Sequence, residues 1–380
     1  DVIPHDKQDI RRAMFFITMA TQEKDHCDSP YKTDVFADYA IRYLEKSIDE
    51  KRPFFLFLPF HSAHYPLQAR PEDLEKFRGA YMNGWDHLRK ERYESMVAKG
   101  ALSARYPLSE PTSNVNTFRG HPAGDEEIRT EIPQYRPWDS LSEKEKVDLD
   151  LEMAVFAAMV HAMDRNIGRV VDLLEKSGQL DHTLIMYLSD NGSCPYDSNR
   201  DFDHPPGPGD SFRTLGAAWA NLGNTPFRYF KQYGHEGGGH THFIVRWPES
   251  VQKTGGFADD LAHLVDIFPT IIDAAGIDYP ATYGGLPTLP LDGRSMLPVF
   301  RGEGRTEPEH IISGYKDRFR MFRSGDWKIV KLNGDNWELY NMKEDMTETN
   351  DLAADNPDQL NAVIEKYEQW LDMSPIQPSF

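Results

Sequence analysis

Four clusters of chemically capable residues are spread along the chain. The first, His61-Ser62-Ala63-His64-Tyr65-Pro66, follows directly on the apolar run Phe54–Leu58. Imidazoles at such a rim bind an oxyanion or protonate a leaving group near neutral pH; the plainer reading is two surface histidines in a turn before Pro66. The second, Asp190-Asn191-Gly192, sets a carboxylate and an amide oxygen side by side. These hard donors suit Ca²⁺ or Mg²⁺, although Asn-Gly is also a common turn. The third runs from Asn224-Thr225-Pro226-Phe227-Arg228 through Lys231 to His235-Glu236-Gly237-Gly238-Gly239. Lys231 offers a fixed cation for an anionic group, where a lone lysine is ordinarily a solvated surface charge. The glycines allow close backbone approach. The fourth, His240-Thr241-His242, places two rings on one face of a strand, a common metal geometry. No third ligand stands nearby in the sequence, which disfavours zinc.

Each cluster needs elements to position it. Asp34 to Ile48 reads as a helix with Phe36, Ala40, Leu44 and Ile48 on one stripe. Phe54–Leu58 and Thr183–Leu188 are apolar without alternation, the pattern of strands covered on both faces. Between them, Ser142 and Glu145 form a capping box ahead of a long helix that runs to about Lys176 and stops at Gly178. Residues 80–137, broken by prolines, read as short helices and loops, and 193–209 as an exposed loop. Phe243–Trp247 reads as a further core strand. Helix, strand, then a polar loop at the strand's C-terminal end is the rhythm of a doubly wound α/β sheet, where ligands bind off the strand ends. Asp190, Asn191, His64 and Lys231 are therefore expected on one rim. The charged, Gly-rich stretch near Arg301–Pro308 marks a boundary between a core of residues 1–304 and a small α+β domain of residues 305–380, with an antiparallel sheet and a closing helix from Pro357 to Leu371.

Composition narrows the class. The 380 residues are 39% hydrophobic and 12% aromatic, which is enough for a large core. A net charge of −19, from 42 basic and 61 acidic side chains, argues against nucleic acid as a partner. No apolar stretch is long enough to span a bilayer. Two cysteines, Cys27 and Cys194, permit at most one disulfide and supply no Cys-based metal spacing.

In order, these motifs resemble the formylglycine-dependent sulfatases of the alkaline-phosphatase-like superfamily. The resemblance runs through Phe55–Ala69, Ala157–Val170, Ser189–Gly192, Asn224–Gly238, Val265–Thr270, Leu291–Ser295, Trp327-Lys328 and Glu338–Asn341, and so covers nearly the whole chain. It implies an alkaline-phosphatase-like doubly wound α/β sheet with a small C-terminal α+β domain. It also implies a small or saccharide sulfate ester as substrate, and export to a periplasm or similar space. Lys231 and His64 would hold the sulfate oxygens, and His64 would protonate the leaving oxygen. His235 and His61 are further substrate-binding candidates. Asp190 and Asn191 would complete a Ca²⁺ (or Mg²⁺) site begun by an acidic pair on the family's first strand. His240 and His242 depart from the family pattern and leave the local pocket open.

The family's nucleophile is a hydrated formylglycine made in a Cys/Ser-x-Pro-x-Arg motif, and neither Cys27 nor Cys194 lies in one. Asn224-Thr225-Pro226-Phe227-Arg228 has the spacing but begins with Asn, which cannot become an aldehyde. The acidic metal pair is also absent. The expectation is therefore a chain truncated at its N-terminal part and inactive alone. Two alternatives stand beside it: a phosphodiester or phosphonate monoester hydrolase of the same superfamily, and a catalytically dead binding or partner chain.

Overall fold

The structure, a computed structural model, describes residues 31–112, 135–196, 204–252, 255–306, 308, 310–315, 319–332 and 334–373, with the backbone of Met14–Phe15. Cys27 and parts of the predicted loops at 80–137 and 193–209 lie outside them. The strands are β1 (Met14–Phe15), β2 (Phe55–Leu56), β3 (Ile185–Leu188), β4 (Phe243–Arg246), β5 (Thr282–Tyr283), β6 (Leu286–Pro287), β7 (Ile311–Tyr315), β8 (Phe319–Ser324), β9 (Trp327–Leu332) and β10 (Trp337–Asn341). The helices are α1 (Lys32–Asp49), α2 (Pro71–Leu74), α3 (Gly84–Ala98), α4 (Glu143–Lys176), α5 (Gly216–Gly223), α6 (Glu236–Gly239), α7 (Ile267–Ala274), α8 (Leu297–Phe300) and α9 (Pro357–Met373). None of the described helices is long and apolar enough to cross a membrane.

Two compact units emerge. The first gathers residues 1–63, 159–187 and 244–307. Here the α1 stripe of Ala40 and Leu44 packs on Val170 and Leu174 of α4, with Phe54, Leu56, Leu58 and Ile185 against the same cluster. Phe54, Leu56 and Leu58 meet that cluster, whereas Phe57 between them is 58% exposed. Among the described residues β1 pairs parallel to β2, and β3 lies beside β4.

The second unit gathers residues 64–158, 188–243 and 308–380. Ser142 and Glu145 close the predicted capping box at the start of α4. The Ser142 N–H donates to Glu145 Oε2 at 2.8 Å, and the Glu145 N–H donates to Ser142 Oγ at 3.4 Å. Trp85, Trp138 and Trp219 build one aromatic core, with Trp85 edge-on to both partners at 4.9 and 5.1 Å. Strands β7 to β10 form a four-stranded antiparallel sheet in the order β10-β9-β8-β7. One face, with Phe322, Ile329 and Leu339, is sealed by Val363 and Tyr367 of α9. The other carries Phe319 and Leu332 against Phe230 and Tyr233 of the loop that bears Lys231. Each such buried side chain contributes roughly 1.5–3 kcal/mol, so the closing sheet is what fixes that loop.

Candidate active site

The rim is assembled within the second unit from three backbone segments. Asp190 and Asn191 leave the end of β3, and Gly192 brings that turn against the α6 segment, its N–H donating to Gly238 O at 3.0 Å. A Cβ on Gly192 would stand 1.8 Å from Gly237 O, and one on Gly237 would stand 2.2 Å from the carbonyl oxygens of Arg228 and Tyr229. Only glycine permits this stacking of three backbones. Lys231 follows in the same cradle, its N–H donating to Ser193 O at 3.0 Å. Tyr229 and Gln232 flank it at φ 59° and 71°, a left-handed backbone that costs a non-glycine residue about 1–2 kcal/mol.

Lys231 Nζ lies 3.3 Å from His64 Nε2. Residues 167 apart in sequence thus meet, although Lys231 follows α5 and not a strand end. His64 Nδ1 lies 3.0 Å from Tyr65 O. A carbonyl only accepts, so Nδ1 carries the proton and Nε2 presents its lone pair to the lysine. Burial pushes the His64 pKa below its ordinary value of 6.5; the bond to Tyr65 opposes that, Lys231 adds to it, and Asp190 opposes it more weakly. The resting pair is a neutral imidazole beside an ammonium.

Asp190 is exposed and Asn191 half-buried. Asn191 Nδ2 donates to Gly192 O at 3.1 Å. By donor type the two fit a hard divalent cation, and they supply two of the roughly six to eight oxygens that calcium takes. Among the described residues no group of three or more His, Cys, Asp or Glu gathers to hold a metal. Cys194 bears a free thiol, pushed up to about 11 by burial.

His61 is exposed and belongs to the first unit. His235 is fully buried, its Nε2 2.7 Å from Glu338 Oε2 on β10 and its ring against Tyr229 at 4.3 Å. It is a core residue joining the lysine loop to the sheet. His240 and His242 are exposed, and His240 Nδ1 lies 2.6 Å from Glu236 Oε2.

A buried polar network escaped the sequence reading. Lys328 of β9, 1% exposed, reaches Glu236 at 2.6 Å and Glu348 at 2.8 Å. Arg228 Nη1 donates to Tyr340 Oη and to Glu348 O, both at 2.8 Å, and Tyr340 donates to Glu338. Burial opposes ionisation of Glu338, but its bonds from His235 and Tyr340 outweigh that and hold it at about 2. The available signal was a lysine at an inward position of an apolar strand, between Trp327 and Ile329.

Comparison with known proteins settles the family. The family model described as "Sulfatase" matches residues 4–277, more than half of the chain. The chain belongs to the sulfatase family. A second model, "N-sulphoglucosamine sulphohydrolase, C-terminal", matches residues 226–374. An uncharacterized sulfatase of Schizosaccharomyces pombe is 30% identical over 362 residues, covering 90% of this chain and 61% of the relative. An arylsulfatase of Klebsiella aerogenes is 28% identical, covering 75% and 60%. A solved structure in complex with its substrate D-glucosamine-2-N,6-O-disulfate superposes with a TM-score of 0.58 at 21% identity, covering 90% of this chain and 69% of that one. The fold is accordingly the alkaline-phosphatase-like α/β fold of sulfatases. The chain spans about three fifths of the length of these two sulfatase relatives.

Proposed function

We propose that this chain supplies the anion-holding and leaving-group side of a sulfate-ester hydrolase. The 3.3 Å contact between Lys231 Nζ and His64 Nε2, on the rim that Asp190 and Asn191 share, carries the reading. A sulfate monoester brings one negative charge. Lys231 offers that charge an ammonium donor, and a pre-placed cation at a rim is worth most where charge accumulates in the transition state. Anion binding also reverses the electrostatics at His64: the added negative charge offsets Lys231 and favours a proton on Nε2. Protonated His64 then stands beside the departing alcohol oxygen as a general acid.

Asp190 and Asn191 are the residues that would hold a divalent cation, which, when bound, polarises the sulfate oxygens. The formylglycine implied by the family would supply the attacking oxygen when present; no Cys/Ser-x-Pro-x-Arg run occurs among the 380 residues. Saccharide or aryl sulfates are the proposed substrates, in a periplasmic or secreted setting. Calorimetric titration of the full chain with inorganic sulfate tests the reading. Micromolar to millimolar binding that Lys231→Ala removes supports it; sulfate binding that is absent, or indifferent to Lys231, overturns it.

A further inference from the structure

Beside His64 stands an aromatic group that the sulfate-holding residues do not use. The ring of Tyr65 lies 4.4 Å from that of His64. Tyr65 in turn meets Phe212 at 6.0 Å and 73°, and Tyr196 at 6.0 Å and 75°, both edge to face. Phe212 is nevertheless 53% exposed.

An exposed phenylalanine on a loose loop would mean little, but this one is pinned on both sides. Gln68 Nε2 donates to the carbonyls of Gly209 and Ser211, both at 2.8 Å. The Leu67 N–H donates to Arg213 O at 2.9 Å. The Arg213 side chain is itself buried, bonded to Asp148 at 3.2 Å and Glu152 at 2.9 Å. The segment that carries His64 and Tyr65 thus holds the segment that carries Phe212. A rigid apolar ring kept facing water, a ring's width from a proposed proton donor, has its entropy of ordering already spent.

We infer that Phe212, buttressed edge-on by Tyr65, forms a stacking platform for the ring of the leaving alcohol. This rests on the sulfate-ester reading above for its direction: with sulfate at Lys231 and the bridging oxygen at His64, the remainder of the ester extends past the imidazole onto the Phe212 ring. The occupant is a six-membered ring with a flat apolar face, either the C–H face of a pyranose or an aryl ring.

The experiment uses neutral probes, so that the platform is read apart from the anion site. The full chain and its Phe212→Ala and Phe212→Tyr variants are titrated by NMR with methyl glucoside, with phenol and with inorganic sulfate. At least one ring probe is expected to bind, to lose about tenfold in affinity in Phe212→Ala, and to keep it in Phe212→Tyr. The probe that responds names the ring class. Sulfate affinity is expected to be the same in all three proteins. Phe212 is exposed, so an unchanged thermal midpoint verifies that Phe212→Ala folds. If neither ring probe binds, or if Phe212→Ala binds both within twofold of the parent, the platform is overturned. A chain that binds a ring probe in a Phe212-dependent way but does not bind sulfate keeps the platform and loses the sulfate-ester reading.

Discussion

At the scale of single residues, the His64–Lys231 contact sets a half-buried imidazole beside a cation. Burial and Lys231 hold the His64 pKa below 6.5 despite the bond to Tyr65. The sign follows: the folded state prefers neutral imidazole, so its contribution to stability is complete above the unfolded value of 6.5 and is lost as pH falls through that value toward the depressed one. Two measurements follow from this. An NMR titration of His64 should show its midpoint rise when Lys231 becomes methionine, and rise again in the parent chain when sulfate is added. By linkage, sulfate should bind more tightly as pH drops from 7 to 6. Lys231→Ala should weaken sulfate by about 10- to 100-fold, the worth of a charge-assisted hydrogen bond. Lys231→Arg should not restore it fully, because a planar guanidinium cannot occupy the point position between His64 and the cradle.

At the scale of elements, the sheet β7–β10 does more than close the fold. Its inner face places Lys328 opposite Tyr340 across the β9–β10 pair, with Glu338 two residues along. From that face the network reaches Arg228, His235, Glu236 and Glu348 around the lysine loop. Replacing Lys328 by methionine strands two carboxylates, and urea unfolding should register a loss of about 3–5 kcal/mol. Adding Glu348→Gln to that variant should recover part of it, because one stranded charge is then gone. Glu338, held at about 2, stabilises the fold above its ordinary 4.5 and withdraws that support as pH falls from 4.5 to 2. Acid unfolding should therefore shift to higher pH when His235 becomes alanine. The elements themselves were largely legible. The α1 stripe, the capping box of α4, the close approach at Gly237 and the C-terminal sheet with its helix all follow from local pattern. The network was not, because Lys328, Glu338 and Glu348 look like ordinary solvated charges until tertiary pairing buries them.

At the scale of the whole molecule, the burial of a strand depends on what lies beyond it. Phe54–Leu58 is apolar at every position, yet Phe57 and, on β4, Ile244 are each 58% exposed. A linear pattern records that a residue tolerates cover, not whether a neighbour supplies it. Such strand faces favour association, so sedimentation velocity on a Phe57→Ser, Ile244→Ser double variant should show less self-association than the parent. Because both residues are exposed, each change should cost no more than about 0.5 kcal/mol.

The reach of the lysine loop has a consequence for how the protein is made. Arg228 is anchored to Tyr340 and Glu348, 112 and 120 residues further on. A ribosome that has just released Lys231 has therefore delivered the proposed sulfate-holding side chain long before the strands that set its loop. Contacts of such separation close late and slowly. Sulfate recognition should switch on abruptly with chain length: nascent chains stalled before residue 340 should ignore sulfate, and those extended past Glu348 by enough to clear the exit tunnel should bind it. The C-terminal strands act, in effect, as a timer on the site.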